Sequence, residues 1–266
     1  MPTYRTPDVY IEEISVFPPS VAEVETAVPA FIGYTQQAKR TTADDLVLKP
    51  TKIFSLKEYE QYFGGKRSDA LAVTVAGDAA NGFSVTSFTV NTQTPGPTFN
   101  LPYLLYYAVK MYFDNGGGQC YIVSVGTYQA VPSITLKGTE PDAGGAPETN
   151  FGLQDGLDAV ALEDEPTLIV IPDAVNLSSA DYQALVQAVL LQAGTLKDRF
   201  GIFDVYDGDT DLDSAAQNTN RGYFGNNNLK YGAAYYPFLR TSMTYFQDGG
   251  EAGVTVTLPD ASTPRL

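Results

Sequence analysis

The feature that most constrains this fold is a series of short apolar runs of strand length, separated by longer segments with helix signals. The runs occupy residues 27–35, 119–126, 167–174, 199–207 and 231–239. Runs that are apolar throughout are typical of strands buried on both faces of a sheet. Helices between such strands require crossover connections, which favour parallel pairing. The sequence therefore predicts a mixed α/β fold, with a central mixed sheet and flanking helices.

Two helices are predicted from their capping residues. Ser55 and Ser178 stand at N-cap positions, and an acidic residue, Glu58 or Asp181, follows each of them three positions later. This spacing is that of a capping box, in which the two side chains bind backbone N–H groups of the first turn. The buried face predicted for the second helix contains Tyr182, Leu185, Val186, Val189 and Leu196.

Two further helices are predicted from periodicity. One follows Asn100 and ends at the glycines that begin with Gly116, and a shorter one covers residues 153–162. Apolar residues recur at three-four spacing after Asn100, which predicts one buried helix face. The predicted face contains Leu101, Leu104, Leu105, Ala108, Met111 and Tyr112.

Residues 68–100 differ in composition from the rest, being rich in Ala, Gly, Thr, Ser and Asn. The alternating run at 83–90 is typical of a strand, so this segment is interpreted as a surface insertion with a β-hairpin. Residues 129–149 form a Gly- and Pro-rich link, and 254–258 is a weak alternating run.

Residues 1–26 are rich in proline and have no helical period, which predicts an extended N-terminal arm. Within it lies a strip that can form a β-strand but has no adjacent hairpin partner in the sequence. It is expected to pair with the chain's own sheet or with the sheet of another subunit. The residues predicted to make this contact are Val9, Tyr10, Ile11, Glu12 and Ile14.

The composition limits the chemistry that the chain can perform. The chain contains no histidine, which removes Ser-His and Cys-His catalysis and imidazole metal ligands. Its single cysteine, Cys120, cannot form an intramolecular disulfide, and it is predicted to be buried in a strand. With 31 acidic and 16 basic residues, the chain has a net charge of −15 and no cluster of Lys and Arg. Nucleic acid and anionic membranes are therefore not expected partners.

The acidic and glycine-rich segments resemble known sites only in part. Asp207, Asp209, Asp211 and Asp213 alternate as at the start of an EF-hand loop, but that loop would have Leu212 at its sixth position, where glycine is required. A solvated acidic loop is the simpler interpretation, and no metal site or cofactor is predicted. The glycines after Gly116 follow a helix rather than a strand, which predicts a helix end and not a phosphate-binding loop.

Several motifs together resemble the contractile sheath proteins of phage tails and phage-tail-like injection particles. They occur in the same order along most of the chain, although Asp8 stands where that family usually has glycine. The motifs are TPDVYIEEI at 6–14, the run at 18–35, PTKIFSLKEYEQYFGG at 50–65, LYYAVKMYFDNGGGQCYIVSV at 105–125, and weaker matches at 165–174, 198–205 and 231–239.

The resemblance implies a structural subunit, not an enzyme. Sheath subunits form a helical homo-oligomer around an inner tube protein, contact baseplate and terminator proteins, and contract to drive the tube through a target envelope. Their N-terminal arms exchange strands with neighbouring subunits, which is strand addition repeated through a lattice. No nucleotide is consumed by the subunit. The free energy of contraction would be stored in the extended lattice.

The resemblance also predicts a domain organisation. Residues 1–26 would be the arm, 27–239 the outer domain with the 68–100 insertion, and 240–266 a C-terminal segment, without the further C-terminal domain usual in the family. The opening MPTYRTPDVY lacks the features of a signal peptide, so assembly in the cytoplasm is expected, with function in a phage tail or in a released or cell-anchored particle.

Two alternatives belong to other functional classes. A metal-dependent hydrolase would use Asp207, Asp209 and Asp211 as its carboxylates. A monomeric binding module would use the acidic surface or the insertion at 68–100.

Overall fold

The computed structural model describes residues 27–67, 71–78, 82–90, 102–129, 132–139, 151–208, 214–243 and 254–257. The strands in these residues are β1 Pro29–Thr35, β2 Thr51–Ile53, β3 Leu71–Asp78, β4 Gly82–Val90, β5 Cys120–Thr127, β6 Leu168–Val170, β7 Phe200–Asp204, β8 Gly232–Tyr235 and β9 Val254–Thr257. The α-helices are α1 Leu56–Phe63, α2 Leu105–Asp114, α3 Leu153–Val160, α4 Ser179–Leu196 and α5 Ser214–Tyr223.

The main sheet has six strands in the order β2-β5-β1-β6-β7-β8. Strands β5, β1, β6, β7 and β8 are parallel to their neighbours, and β2 pairs antiparallel to β5. The α/β fold with a mixed sheet, predicted from the apolar runs, is confirmed. The short strand β2 and the helix α5 were not predicted.

The central strand β1 is buried along its whole length, and alternate residues point to two different cores. Ala30, Ile32 and Tyr34 pack with α3 and α4, whereas Phe31 packs with α1 and α2. Strand β5 divides in the same way, with Val123 on the first side and Ile122 on the second. This two-sided burial explains why both strands are apolar at consecutive positions.

Both predicted capping residues are confirmed. The Ser55 side chain accepts a hydrogen bond from Glu58 N, and the Ser178 side chain accepts one from Asp181 N, at 3.2 Å in each case. The Glu58 carboxylate does not return to the N-cap residue, as it would in a full capping box, but accepts a hydrogen bond from Phe54 N at 2.9 Å.

The prediction for α2 was wrong in its start and in its buried face. The helix begins at Leu105, and its buried residues are Leu105, Tyr106 and Val109. Leu104, Ala108 and Met111 are only half-buried. Leu101 lies outside the described residues. The helix has two apolar faces, and three-four spacing alone could not show which of them meets the core.

The predicted face of α4 is confirmed except at its end. Tyr182, Leu185, Val186 and Val189 are buried, but Leu196 is 40% exposed, and Leu190 and Ala193 complete the buried face instead.

The hairpin predicted in the 68–100 segment is present. Strands β3 and β4 pair antiparallel, and β9 adds in parallel to the other edge of β3, which gives a separate three-stranded sheet. The division of the chain into arm, outer domain and C-terminal segment stays a prediction. No helix in the described ranges is both long and apolar enough to cross a bilayer.

Gly156 allows α3 to lie close to the sheet, and this contact gives a testable prediction. A Cβ at this position would lie 2.4 Å from Ile32 Cγ2 and 2.7 Å from Val125 Cγ1. Gly156→Ala should therefore lower the free energy of unfolding by about 1–3 kcal/mol, because the strands must shift to accept the methyl group.

Gly222 in α5 provides the matched control. A Cβ there would meet nothing within 4 Å. Gly222→Ala should be neutral or stabilising by up to about 1 kcal/mol, since alanine is the better helix former. Urea unfolding of both variants measures the difference, and equal effects would contradict the close contact at Gly156.

Candidate functional site

The residues predicted to act as a site are mostly not among those that the structure describes. Val9, Tyr10, Ile11, Glu12 and Ile14 lie outside the described residues, as do Asp209 and Asp211. Asp207 follows β7 in the left-handed backbone region, with φ of 53°. Among the described residues, no three His, Cys, Asp or Glu side chains are grouped so that they could hold a metal ion.

The crevice between β1 and β6 is the first place where a site is expected in this fold. Helices α1 and α2, between β1 and β5 in the chain, and helix α4, which follows β6, lie on opposite sheet faces, and ligands of α/β proteins bind where the strand order reverses in this way. Here the carboxylate of Asp173, in the 3-10 helix Pro172–Asn176 that follows β6, occupies the crevice. This residue is completely buried.

Asp173 joins three elements through backbone N–H groups. Its Oδ2 accepts a hydrogen bond from Tyr34 N at 3.0 Å, and its Oδ1 accepts one from Leu104 N at 2.6 Å. The N–H of Leu105 is a third donor. Helix α2 has no side-chain cap of its own. Asp173, 69 residues from Leu104 in sequence, instead accepts hydrogen bonds from the free backbone N–H groups at the start of this helix.

Burial raises the pKa of Asp173 to about 6, although its three backbone donors act in the opposite direction. There is no room beside the carboxylate, since a Cβ on Gly33 would lie 2.5 Å from Oδ2. The geometry therefore gives this carboxylate a structural task, which is to hold β1, β6 and the start of α2 together.

A cavity of about 690 Å³ lies at the carboxyl ends of β1 and β5. One carboxylate, Asp44, and one ammonium group, Lys137, line it, together with hydroxyl and amide side chains. The Tyr34 hydroxyl is hydrogen-bonded to Thr135 Oγ1 at 3.1 Å, and burial raises the pKa of this phenol, so it stays protonated at neutral pH. The lining offers hydrogen-bonding groups beside the apolar side chains of Val47, Leu48, Val125 and Phe151.

Cys120 is inert in this fold. It lies at the start of β5, it is completely buried, and burial raises the pKa of its thiol to about 12. The predicted burial is confirmed, and the thiolate that a nucleophile requires does not form near neutral pH. The glycines before it end α2, where Gly116 has a φ of +85° and Gly117 N donates to Tyr112 O at 2.9 Å.

An apolar groove of about 620 Å³ lies between α2 and the strands β7 and β8. We call it the α2–β8 groove. Its residues are Leu104, Tyr107, Ala108, Met111, Ile202, Asp204, Tyr235, Tyr236, Pro237, Phe238, Leu239, Thr241 and Met243. It contains the half-buried face of α2 that sequence reasoning had assigned to the core.

No protein-family model matches the sequence, and no curated protein is similar to it. A chain in the cryo-EM structure of the anti-feeding prophage baseplate in its contracted state aligns with 91% of this chain and 50% of its own length, at 21% identity and a TM-score of 0.52. This chain shares the fold of that baseplate chain. A chain in the structure of the anti-feeding prophage helical sheath in its contracted state aligns with 91% of this chain and 48% of its own length, at 23% identity and a TM-score of 0.44.

The chain thus spans about half the length of the solved chains that it matches. The resemblance to contractile-particle proteins that the sequence motifs indicate is confirmed at the level of the fold.

The buried Asp173 carboxylate predicts how stability depends on pH. Its pKa is about 6 in the folded protein and about 4 in an unfolded chain, so the folded state binds the proton more tightly. The stabilisation that comes from this proton is fully present when the pH is below the pKa of the unfolded chain. It is lost as the pH rises through about 6, the pKa in the folded protein. Relative to Asp173→Asn, the wild type should gain up to about 3 kcal/mol as the pH falls from 7 to 4.

Asp45 is the matched control, because three backbone N–H groups hold the pKa of this exposed carboxyl at about 2. Relative to Asp45→Asn, the wild type should therefore change little between pH 7 and pH 4, and in the opposite direction, because the stabilisation by Asp45 only begins to be lost near the unfolded pKa of about 4. Urea unfolding across this range measures both differences. If the difference in free energy of unfolding between wild type and Asp173→Asn does not vary with pH, the pKa of Asp173 is the same in the folded and the unfolded chain.

Proposed function

We propose that this chain is a structural subunit of a contractile injection particle, of the sheath type, and not an enzyme. The observation that carries the proposal is the shared fold over 91% of the chain with a chain of a baseplate in its contracted state. The ordered motifs of the sequence support the same assignment independently, since they include the loops and helix ends as well as the strands.

The chemistry of the described residues supports a structural role. The carboxylate in the β1–β6 crevice is engaged by backbone N–H groups, and the thiol is buried and protonated. A side chain that catalyses proton transfer or nucleophilic attack must reach a substrate in the correct protonation state. Asp173 and Cys120 cannot reach a substrate, because both are completely buried.

In the proposed mechanism the α/β core moves as a unit while the lattice around it rearranges. Its two-sided packing suits this task, since close-packed interiors do not deform continuously. The N-terminal arm, through Val9, Tyr10, Ile11, Glu12 and Ile14, would add as a strand to a neighbouring subunit and keep the subunits linked. The partners would be other copies of this chain, an inner tube, and baseplate and terminator proteins, with assembly in the cytoplasm.

The arm can be tested by changing its apolar strip without changing its length. In the full-length chain, Val9→Asp combined with Ile11→Asp should abolish assembly, because charges cannot enter a neighbour's apolar surface unpaired. Negative-stain electron microscopy and sedimentation velocity measure assembly, and thermal unfolding monitors the core, whose midpoint should not change.

Ser20→Asp is the control, since it places a charge in the same arm at a position that is already polar. This variant should assemble as the wild type does. If the Val9/Ile11 variant also assembles normally, the arm does not link the subunits.

A further inference from the structure

Helix α4 has two apolar sides, and only one of them meets the core. Its buried side packs on the main sheet. Its outer side carries a row of residues that we call the α4 outer row, which consists of Ala184, Ala188, Leu191 and Thr195. Their spacing of four, three and four positions places them within roughly 60° of one another around the helix axis. The row therefore runs along one line of the helix surface.

The α4 outer row is apolar and open to solvent. Ala184 and Thr195 are exposed, Ala188 is half-buried, and Leu191 is 62% exposed. The Thr195 hydroxyl donates a hydrogen bond to Leu191 O at 2.8 Å, so its polar group is satisfied within the helix. In the described part of the chain, no helix or strand covers this row.

The polar side chains on either side of the row turn away from it. Gln187 donates to Tyr223 O of α5 at 3.1 Å, and Gln192 donates to Leu157 O of α3 at 3.0 Å. On the α5 side, the 3-10 helix that precedes β8 lies beside α4 and adds Leu229, which is 49% exposed. One exposed leucine is ordinary in a soluble protein, but a row of apolar side chains bordered by a second leucine marks an interaction surface.

Helix α4 is almost free of charge, although the chain as a whole has a net charge of −15. Within the helix only Asp181, in the first turn, is charged. Exposed helix faces of soluble proteins usually carry charged residues, as that of α1 does. At the other end, Lys197 is the exposed C-cap residue, and the next carboxylate, that of Asp198, is paired with Arg199 at 2.8 Å. The helix therefore has a carboxylate at one end and an ammonium group at the other.

We propose that the α4 outer row binds the same row of a second copy of this chain, with the two helices packed antiparallel about a two-fold axis. The row reads the same from both ends, with its centre between Ala188 and Leu191. In this arrangement each Leu191 lies over Ala188 of the other copy, and each Thr195 lies over Ala184. A larger side chain thus meets a smaller one at every position, which lets two helices approach closely.

The charges favour a second copy as the occupant. A two-fold contact requires a surface that complements itself. Antiparallel packing brings Asp181 of each copy to the helix end where Lys197 of the other copy lies, and it opposes the two helix dipoles. Because the chain is strongly acidic, two copies repel each other over most of their surface. The nearly uncharged row is a place where they can approach.

This pair of subunits goes beyond the proposed function. Subunits of a lattice that has a direction meet head to tail, through two different surfaces, whereas a two-fold contact uses the same surface twice. The α4 pair therefore belongs to subunits that have not yet assembled. It covers an apolar row that would otherwise stay in contact with water.

Cross-linking between singly substituted full-length chains tests this pairing. One chain carries Ala184→Cys and the other carries Thr195→Cys, both at exposed positions. These positions are roughly 16 Å apart along one helix, so antiparallel packing is the arrangement that brings one against the other. With a short bismaleimide, the mixture should form cross-linked dimers at least ten times faster than either chain alone. Native Cys120 does not interfere, because it is completely buried and the pKa of its thiol is about 12.

Leu191→Asp gives a second measurement, and Leu162→Asp is its matched control. Added to both cysteine chains, Leu191→Asp should slow cross-linking at least tenfold, because it places an unpaired charge in the contact. Leu162 is 86% exposed and lies just after α3, so Leu162→Asp should leave the rate unchanged. Thermal unfolding checks that both variants stay folded.

Equal rates for the mixture and for the single chains would overturn the proposal, since cross-links would then come from random collisions or from parallel packing. Equal effects of the two aspartate substitutions would also overturn it. The proposed function is tested separately. Helical assemblies that form without any cross-linking through α4 would refute the pair and leave the proposed function intact, whereas cross-links without assemblies would do the reverse.

Discussion

The carboxylate of Asp173 is the contact on which the arrangement of the core depends. It is completely buried, and its oxygens accept hydrogen bonds from Tyr34 N in β1 and from Leu104 N at the start of α2. Burying an ionised carboxylate costs free energy unless it accepts hydrogen bonds. The pKa of Asp173 stays above its usual value because the three backbone donors offset only part of this desolvation cost. These hydrogen bonds hold the central strand β1, the segment after β6 and the start of α2 together.

This contact has a consequence for function. The crevice at the strand ends is where proteins of this class commonly bind small ligands. Here it is filled by the chain's own side chain, and the cavity at the carboxyl ends of β1 and β5 and the α2–β8 groove are what remain for interaction. The exposed tyrosines and leucine of the α2–β8 groove fit a protein that works through contacts with other proteins.

The sequence predicted the elements whose signals are local. Ser55 and Ser178 mark the starts of α1 and α4 because a cap and its partner lie three residues apart. The strands β1 and β5 were found because burial on both faces leaves an uninterrupted apolar run. In each case the physical cause lies within about one turn of helix or one strand of sequence.

Signals that arise from distant residues were missed. The start of α2 is capped by Asp173, which is 69 residues away from Leu104. The sequence around Leu104 therefore contains no signal for this contact. Strand β6 ends at Val170 because a 3-10 helix begins at Pro172, although the apolar run continues beyond it. The groove was missed for a related reason: Leu104, Ala108 and Met111 are as apolar as core residues, so composition could not distinguish a face for a partner from a face for the core.

The most direct test of the central claim is cryo-electron microscopy of the native particle that contains this protein. The account predicts copies of the α/β core on a regular lattice, with density for residues 9–14 of one copy lying against its neighbour. Copies that are isolated, or a lattice in which the arm of every copy stays on its own core, would contradict the account of a subunit linked through its arm.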